Sequence, residues 1–344
     1  MTANRFRAGA TALGIAALVA VGTTACGSSS PAPAAGDFVL KVTAPQNAGA
    51  LAVGKRDHVF DDALKPLGAR VEWVEAPPAF SANLKLFNAG QLDVSEGAYS
   101  PVVGALSKNV PVRIVAVAHN EDRTRSGIIV RPDSGIRSVA DLPGRRVAVN
   151  AAAKGDYITL KALQQAKIPV DRVERVALQP SDATAAFSTG KVDAWASFND
   201  PYEEARARGG VEIATEESID SRDHTILAFR TAVLDARPDV AAAFLTALQG
   251  LKERQRKDPA AFQNVFDQAG PRAVTGDRLA RAIASDRVVG VPRYPTAEDE
   301  ADLQSVIDLF ADNAVISRRV PASDVLYPLQ SKAAAYSATA GKGR

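Results

Sequence analysis

Phe87-Asn88-Ala89-Gly90-Gln91-Leu92-Asp93 and, at an offset of 100 residues, Phe187-Ser188-Thr189-Gly190-Lys191-Val192-Asp193 decide how this chain is read. Phe, Gly and Asp are identical in the two copies. Each copy reads as a helix end closed by glycine, with a strand starting after it. The same offset pairs Ser100-Pro101 with Asp200-Pro201, where a capping side chain stands before a proline and suits an N-cap followed by the first helical position. A weaker echo pairs Asn47-Ala48-Gly49-Ala50 with Asn150-Ala151-Ala152-Ala153. Two copies are too few for a solenoid; two lobes of one topology account for them.

Working outward, short β-branched runs alternate with helical stretches, the pattern of an α/β fold with mostly parallel sheets. Strands are expected at 38–43, 70–74, 92–95, 112–118, 126–131, 145–149, 173–177, 192–197, 211–214 and 226–230. Helical patterns lie between them at 57–66, 79–89, 101–107, 155–166 and 181–189. After residue 230 the strands stop, and helices are expected at 238–256, 258–268, 275–285 and 297–312.

The 344 residues, 46% hydrophobic and 23% charged, can bury a core across about two domains, which excludes a disordered tail or a multi-span membrane protein. Arg5 and Arg7 stand in a segment, 1–25, that holds no acid. Without them the 41 basic residues become 39, equal to the 39 acids. A neutral chain has no overall field to gather nucleic acid, so none is expected as a partner, and a charged ligand must be held locally.

Arg5 and Arg7, the apolar run from Ala8 to Val21 and Thr23-Thr24-Ala25 read as an export signal too short to span a bilayer, which needs about 20 apolar residues. Cys26 is the only cysteine. Its place after Ala25 and before Gly27-Ser28-Ser29-Ser30 resembles the lipobox of bacterial lipoproteins, in which the cysteine is lipidated. An ordinary secretory signal with an incidental cysteine is the other reading. Residues 27–36, rich in Ser, Pro, Ala and Gly, make a flexible tether.

In open α/β sheets ligands sit beyond the carboxyl ends of the strands, where loops lead into helix amino ends. Two facing lobes would offer loops 46–51 and 96–101 from one side and 150–157 and 197–202 from the other. Helix amino ends carry unpaired N–H groups and partial positive charge, so such a cleft suits an oxyanion without net side-chain charge. Ser100 and Asp200 face the ligand or simply cap their helices.

The segments PLGARVEWVE (66–75), SVADLPGRRVAVN (138–150) and GKVDAWASFNDPY (190–202), with the lipobox, resemble solute-binding proteins of bacterial ABC importers for aliphatic sulfonates. Their superfamily includes binders of taurine, nitrate and pyrimidine precursors of thiamine. The resemblance implies a two-lobed periplasmic-binding-protein type II fold: two mixed, mostly parallel sheets, flanking helices, and two hinge crossovers near 119–126 and 219–226. The expected division is a signal peptide over 1–25, a lipidated tether over 26–36, lobe I over 37–120, lobe II over 121–224, a return to lobe I with C-terminal helices over 225–335, and a tail over 336–344.

By position the resemblance places Gln46 and Asn47 in the first cleft loop and Gly97, Tyr99 and Ser100 before the cleft helix of lobe I. Lys154, Asp156 and Tyr157 fall in the matching loop of lobe II, and Asn199 and Asp200 beside its second helix start. Two departures touch the pocket: Ala44-Pro45-Gln46 replaces the family's Gly-Tyr-Gln, and Asn199 lengthens the stretch before Asp200-Pro201-Tyr202. Tyr99 is expected to stack on the solute, Lys154 to pair with its anion or sit in solvent, and Trp195 to form an apolar wall or belong to the core. Glu96 and Asp156 would repel a simple anion, which leaves an aminosulfonate open. His119 and His224, near the crossovers, read as hinge or cleft-edge groups. With no His-x-His or Cys-x-x-Cys spacing, no metal is expected, and no cofactor either.

The implied function is capture of a small organosulfonate-like solute outside the cell membrane by a lipid-anchored monomer and delivery to an ABC permease. Alternatives are a binding protein for another small solute (a taurine-like aminosulfonate, nitrate, an aromatic acid or a pyrimidine precursor), a ligand-sensing lipoprotein, or an enzyme related to pyrimidine synthesis. No Gly-x-Ser-x-Gly elbow or phosphate-binding glycine loop supports the enzyme.

Overall fold

In a computed structural model that describes residues 38–340, the chain builds two five-stranded sheets with the same strand order. The first body begins with β1 (Phe38–Thr43), α1 (Ala50–Arg56), α2 (Val59–Leu64), β2 (Ala69–Val74) and α3 (Leu84–Asn88). It continues through β3 (Val94–Ala98), α4 (Tyr99–Ser107) and β4 (Val112–Ala118). The second body contains β5 (Ser126–Val130), β6 (Arg146–Val149), α5 (Lys154–Gln165), β7 (Glu174–Ala177) and α6 (Pro180–Ser188), then β8 (Ala194–Phe198), α7 (Asn199–Ala207) and β9 (Val211–Thr215). The chain then returns as β10 (Thr225–Arg230) and continues helical, through α8 (Thr231–Ala236), α9 (Pro238–Lys257), α10 (Gly276–Asp286), α11 (Ala297–Asp312), α12 (Ala322–Val325) and α13 (Leu329–Ala340).

The orders are β2-β1-β3-β10-β4 and β7-β6-β8-β5-β9. Four strands of each sheet share one direction; β10 in the first and β5 in the second are antiparallel to both neighbours. These are the strands through which the chain enters a body after passing between the two, along residues 119–125 and 216–224. The expected mixed, mostly parallel sheets with flanking helices are therefore present.

The 100-residue echo has a physical basis. Phe87 and Phe187 are buried. Gly90 and Gly190 take φ of 64° and 74°, the left-handed region where a side chain would be strained, so each helix ends there. The repeated aspartate then ties its strand to the neighbour. Asp93 accepts a hydrogen bond from the Lys41 N–H at 3.1 Å, and Asp193 one from the Arg146 N–H at 2.8 Å.

Some expectations need correction. Ser100 and Asp200 are not N-caps: α4 and α7 start two residues earlier than expected, at Tyr99 and Asn199, behind the extended residues Ala98 and Phe198. Pro101 and Pro201 sit within the first turn, where a missing N–H costs no helical hydrogen bond. Residues 258–268 are not a helix. Only Pro259–Phe262 form a 3-10 turn, its N–H of Ala261 capped by Asp258 at 3.4 Å. Beyond it the backbone N–H groups of Phe266 and Asp267 both donate to the Asn47 side chain, at 2.8 and 2.9 Å, which draws the segment away from helical pairing. The tail expected from 336 instead continues α13 to Ala340. The signal peptide, the tether and Cys26 lie outside the described residues.

One buried apolar cluster takes Tyr99, Val102 and Val103 from α4, Tyr157 and Ile158 from α5, and Leu303, Val306 and Ile307 from α11. Each such aliphatic side chain contributes about 1.5–3 kcal/mol by leaving water. Because α4 belongs to one body and α5 to the other, the apolar contact runs across the seam between them.

Candidate functional site

The seam is built around the amino end of α4. A helix leaves its first N–H groups without intrahelical partners, and Ala98 offers no side-chain cap. The second crossover supplies the partner: Asp223 accepts the Ser100 N–H at 2.8 Å and the Ser100 hydroxyl at 2.6 Å. Its carboxylate is fully buried, at the place where the positive end of the helix favours an anion. Across the seam Asn150 Oδ1 accepts the Gly155 N–H at 2.5 Å, and Asp156 accepts the Ala152 N–H at 2.7 Å and an Arg175 N–H at 2.8 Å. One first-turn amide each of α4 and α5, those of Ser100 and Gly155, thus already has a partner within the chain.

Lys154 reaches this centre from the start of α5, 2.7 Å from Glu216 and 4.0 Å from Asp223. Burial opposes its charge, but the two carboxylates outweigh burial and raise its pKa, so it stays an ammonium. Burial pushes the Asp223 carboxyl up, against the pull of Lys154 and Ser100. The Tyr157 hydroxyl accepts the Arg222 N–H at 2.7 Å, and burial raises its phenol.

Two histidines close the back of the seam. His119, directly after β4, and His224, directly before β10, stack with ring centroids 3.8 Å apart. Both hang from α11, His119 on Asp299 at 2.7 Å and His224 on Asp302 at 3.0 Å. Burial, then the neighbouring His119, lowers the His224 pKa. Burial disfavours the Asp299 anion, but hydrogen bonds from Arg293, Thr296 and His119 overcome it and hold the carboxyl well below its usual range. Tyr99 meets the His224 ring edge-on and is wholly buried, with its hydroxyl unpartnered among the described residues.

In front, the bodies touch. A Cβ at Gly104 of α4 would lie 1.9 Å from the Ala152 carbonyl oxygen, so only glycine fits there with the seam closed. Asn150 reaches Ser81 of the first body at 3.5 Å. Space remains beside the first crossover, where a pocket of about 290 Å³ opens between residues 122–125, α7 and α10. A second void, next to Trp195, measures about 10 Å³, room for one water.

Of the residues expected in the site, Tyr99, Ser100, His119, Lys154, Tyr157 and His224 converge at the seam. The others do not join them. The Asn47 amide is spent on the 266–272 segment, donating to the Asp267 and Arg272 carbonyls and accepting from two N–H groups. Gln46 is exposed, and Gly97 lies against Phe80, which approaches its backbone too closely to admit a Cβ freely. Asp156 serves the loop fold and Glu96 pairs with Lys252 at 3.2 Å, so the repulsion expected from them is neutralised. Asn199 takes a left-handed φ of 55° at the start of α7, and Asp200, exposed, lies 3.5 Å from Arg125. Trp195 is core, packed on Phe187. Sequence reading missed Asp223, Glu216, Asp299 and Asp302, whose partners are remote in the chain; the Asp-His pair 223–224 next to an expected crossover was the available signal. Among the described residues no group of three or more His, Cys, Asp or Glu side chains is placed to hold a metal, and no helix is long and apolar enough to cross a membrane.

Residues 68–260 match the family described as NMT1/THI5 like. A protein of Bacillus subtilis (strain 168), described as a candidate aliphatic sulfonates-binding protein, is 30% identical over 211 residues, 60% of this chain and 62% of that one. The chain spans only 42% to 62% of the length of the three curated relatives it matches over the longest stretches. The alkanesulfonate-binding protein of Xanthomonas axonopodis pv. citri, solved bound to MOPS, superposes with a TM-score of 0.75 at 21% identity, covering 85% of this chain and 99% of that one. The enzyme DszB, solved with biphenyl-2-sulfinic acid, has the same fold, with a TM-score of 0.59 at 17% identity over 86% of this chain and 98% of that one.

Proposed function

The chain belongs to the NMT1/THI5-like family, and from that membership we propose that it is the solute-binding lipoprotein of an ABC importer, taking a small organosulfonate-like solute between its two bodies. The observation that carries this reading is the seam itself. Two bodies of one topology, linked by crossovers 119–125 and 216–224, meet face to face through α4 and the 150–153 loop. Hinged bodies of this kind close on a ligand only as far as it binds the closed state better than the open one, so the solute must touch both. The relative described as binding aliphatic sulfonates supports the substrate class. Cys26 would carry the lipid that holds the monomer on the outer face of the membrane, and the closed form would dock on the permease.

The seam chemistry favours holding over reacting. The Ser100 hydroxyl donates to a carboxylate rather than to an imidazole base, and the Lys154 ammonium is kept charged by Glu216, so neither is prepared as a nucleophile.

A thermal-shift screen of the full chain against alkanesulfonates, taurine, nitrate, aromatic acids and pyrimidines tests the reading. At 100 times Kd a native-state ligand adds about 2.7 kcal/mol, a rise of about 4 °C for a chain this long. Alkanesulfonates should produce it and be recovered unchanged. No shift with any compound, or consumption of one, would reject the proposal.

A further inference from the structure

The bodies meet a second time at α10, and there the contact is made by charge. The helix belongs to the first body. Asp286, its only buried residue, accepts a hydrogen bond from Gln263 at 2.6 Å, and the turn before Gln263 is tied to the loop after β1, where the Gly49 N–H donates to the Phe262 carbonyl at 2.8 Å. Asn264 brackets the approach to the helix, donating to the Val274 carbonyl at 2.9 Å and accepting the Val274 N–H at 2.8 Å. Both ends of α10 are thus anchored to the first body, while none of its apolar side chains is buried.

Arg278 and Arg281, about one turn apart on α10, reach α7 of the second body. Arg281 donates through Nε to Glu203 at 2.8 Å, and Arg278 lies 3.5 Å from Glu204. The Glu203 side chain is only 6% exposed, which makes the first pair the stronger; the second is open to solvent and screened. Beside these pairs the pocket of about 290 Å³ opens between α7 and α10, so the helices are not packed together there. Glu203 also has a partner on its own helix, Arg206 at 3.4 Å, which Glu212 holds in turn at 3.3 Å. When the bodies part, Glu203 keeps a counter-charge and the half-exposed Arg281 is hydrated. Such a contact opens and recloses without stranding a buried charge.

We propose that α10 is a latch: a strap carried by the first body that buckles onto α7 through Arg281 and Glu203, with Arg278 and Glu204 as a weaker second clasp, and biases the bodies toward the closed arrangement. The latch does not depend on the solute-binding reading above; its effect on affinity does. Where closure is part of capture, apparent affinity scales with the closed fraction, so a weakened latch weakens binding.

Double electron–electron resonance on the full chain tests the latch without any solute. With Cys26→Ser, spin labels at Lys85→Cys on α3 and Gln165→Cys on α5, both exposed, read the distance between the bodies. Arg281→Gln and Glu203→Gln should each raise the long-distance fraction at least threefold, and the two together no more than either alone, since they break one pair. Arg278→Gln should raise it less than twofold. Arg206→Gln removes the partner that Glu203 keeps on its own helix: a purely structural network would answer to it as to the others, whereas a latch leaves the fraction unchanged or lower. Sodium chloride at about 1 M should open the native chain and barely move Arg281→Gln, an arm that on the native chain needs no variant to fold. A distribution that ignores Arg281→Gln, Glu203→Gln and salt, or a native chain without the short distance, overturns the latch. Calorimetry with 1-butanesulfonate is read separately. Binding at least threefold weaker in Arg281→Gln and Glu203→Gln supports the coupling to capture, and unchanged binding in variants that do open overturns it. No binding by the native chain rejects the solute reading and leaves the latch to the distances.

Discussion

The two bodies share a strand order, a helix-closing glycine and a strand-tying aspartate, yet they use their cleft helices differently. The amino end of α4 is sealed, with Asp223 seated on Ser100 and Tyr99 wholly buried behind it. At the same position 100 residues on, α7 begins with exposed Asn199 and Asp200, and Arg125 nearby still has free donors. A repeated motif therefore fixes the scaffold but not the site. Its Phe, Gly and Asp act on the sheet and the helix end, whereas what each helix start meets depends on the residues just beyond, where the copies diverge.

That asymmetry can be broken experimentally. The largest effect should come from the repeated aspartates. Asp93, nearly buried, holds the Lys41 N–H and pairs with Arg230 at 2.7 Å, while Asp193, more exposed, holds the Arg146 N–H and meets the Arg146 side chain at 3.4 Å. Removing one partner of a buried pair costs about 3–5 kcal/mol, so Asp93→Ala should lower the urea midpoint far more than Asp193→Ala, which should cost about 1 kcal/mol. Equal losses would show that the two bodies are supported alike.

Next comes the face on which the bodies meet. Gly104→Ala sets a Cβ against the Ala152 backbone and should cost about 1–3 kcal/mol, since the helix gains back only part of the clash. The matching position in the second body, Glu204, is partly exposed and pairs with Arg278 at 3.5 Å; Glu204→Ala should change stability by no more than about 0.5 kcal/mol. A neutral Gly104→Ala would mean that the seam does not close as described.

The smallest effect concerns acid. Asp299, on the α11 side of the crossovers, is held as an anion in the folded state, so its contribution is complete above the unfolded carboxyl value near 3.9 and is lost as the pH falls from there through the lower folded value. One such group gives at most about 1.4 kcal/mol per pH unit. Urea titrations between pH 5 and 2 should be steeper for the native chain than for Asp299→Asn; parallel slopes would take Asp299 out of the acid response.

The fold was largely readable because its signals are local. Gly90 and Asp93 act within a few residues of the helix and strand they shape, and the β-branched runs keep their periodicity whatever surrounds them. The site was readable in part. Tyr99, Ser100, Lys154 and Tyr157 follow strand ends, where loops approach a cleft, but what each does there depends on partners far along the chain: Ser100 on Asp223, Lys154 on Glu216, Arg281 on Glu203. No periodicity encodes such pairings. Pro101 and Pro201 misled for another reason. Proline suits several positions of a first turn, so it locates a helix start only to within a residue or two. The segment after Pro259 had helical composition and lost its helix to Asn47, more than 200 residues earlier.

The placement of β10 sets an order of assembly. It lies between β3 and β4, so the centre of the first sheet is missing until residues 225–230 have been made. The second sheet draws on residues 126–215 alone, and its inserted strand β5 comes before the strands it joins. During synthesis the later half of the molecule can be complete while the earlier half still waits with two unpaired strand edges, open to mispairing. A chain cut before Thr225 should therefore keep a folded second body and leave the first one unformed.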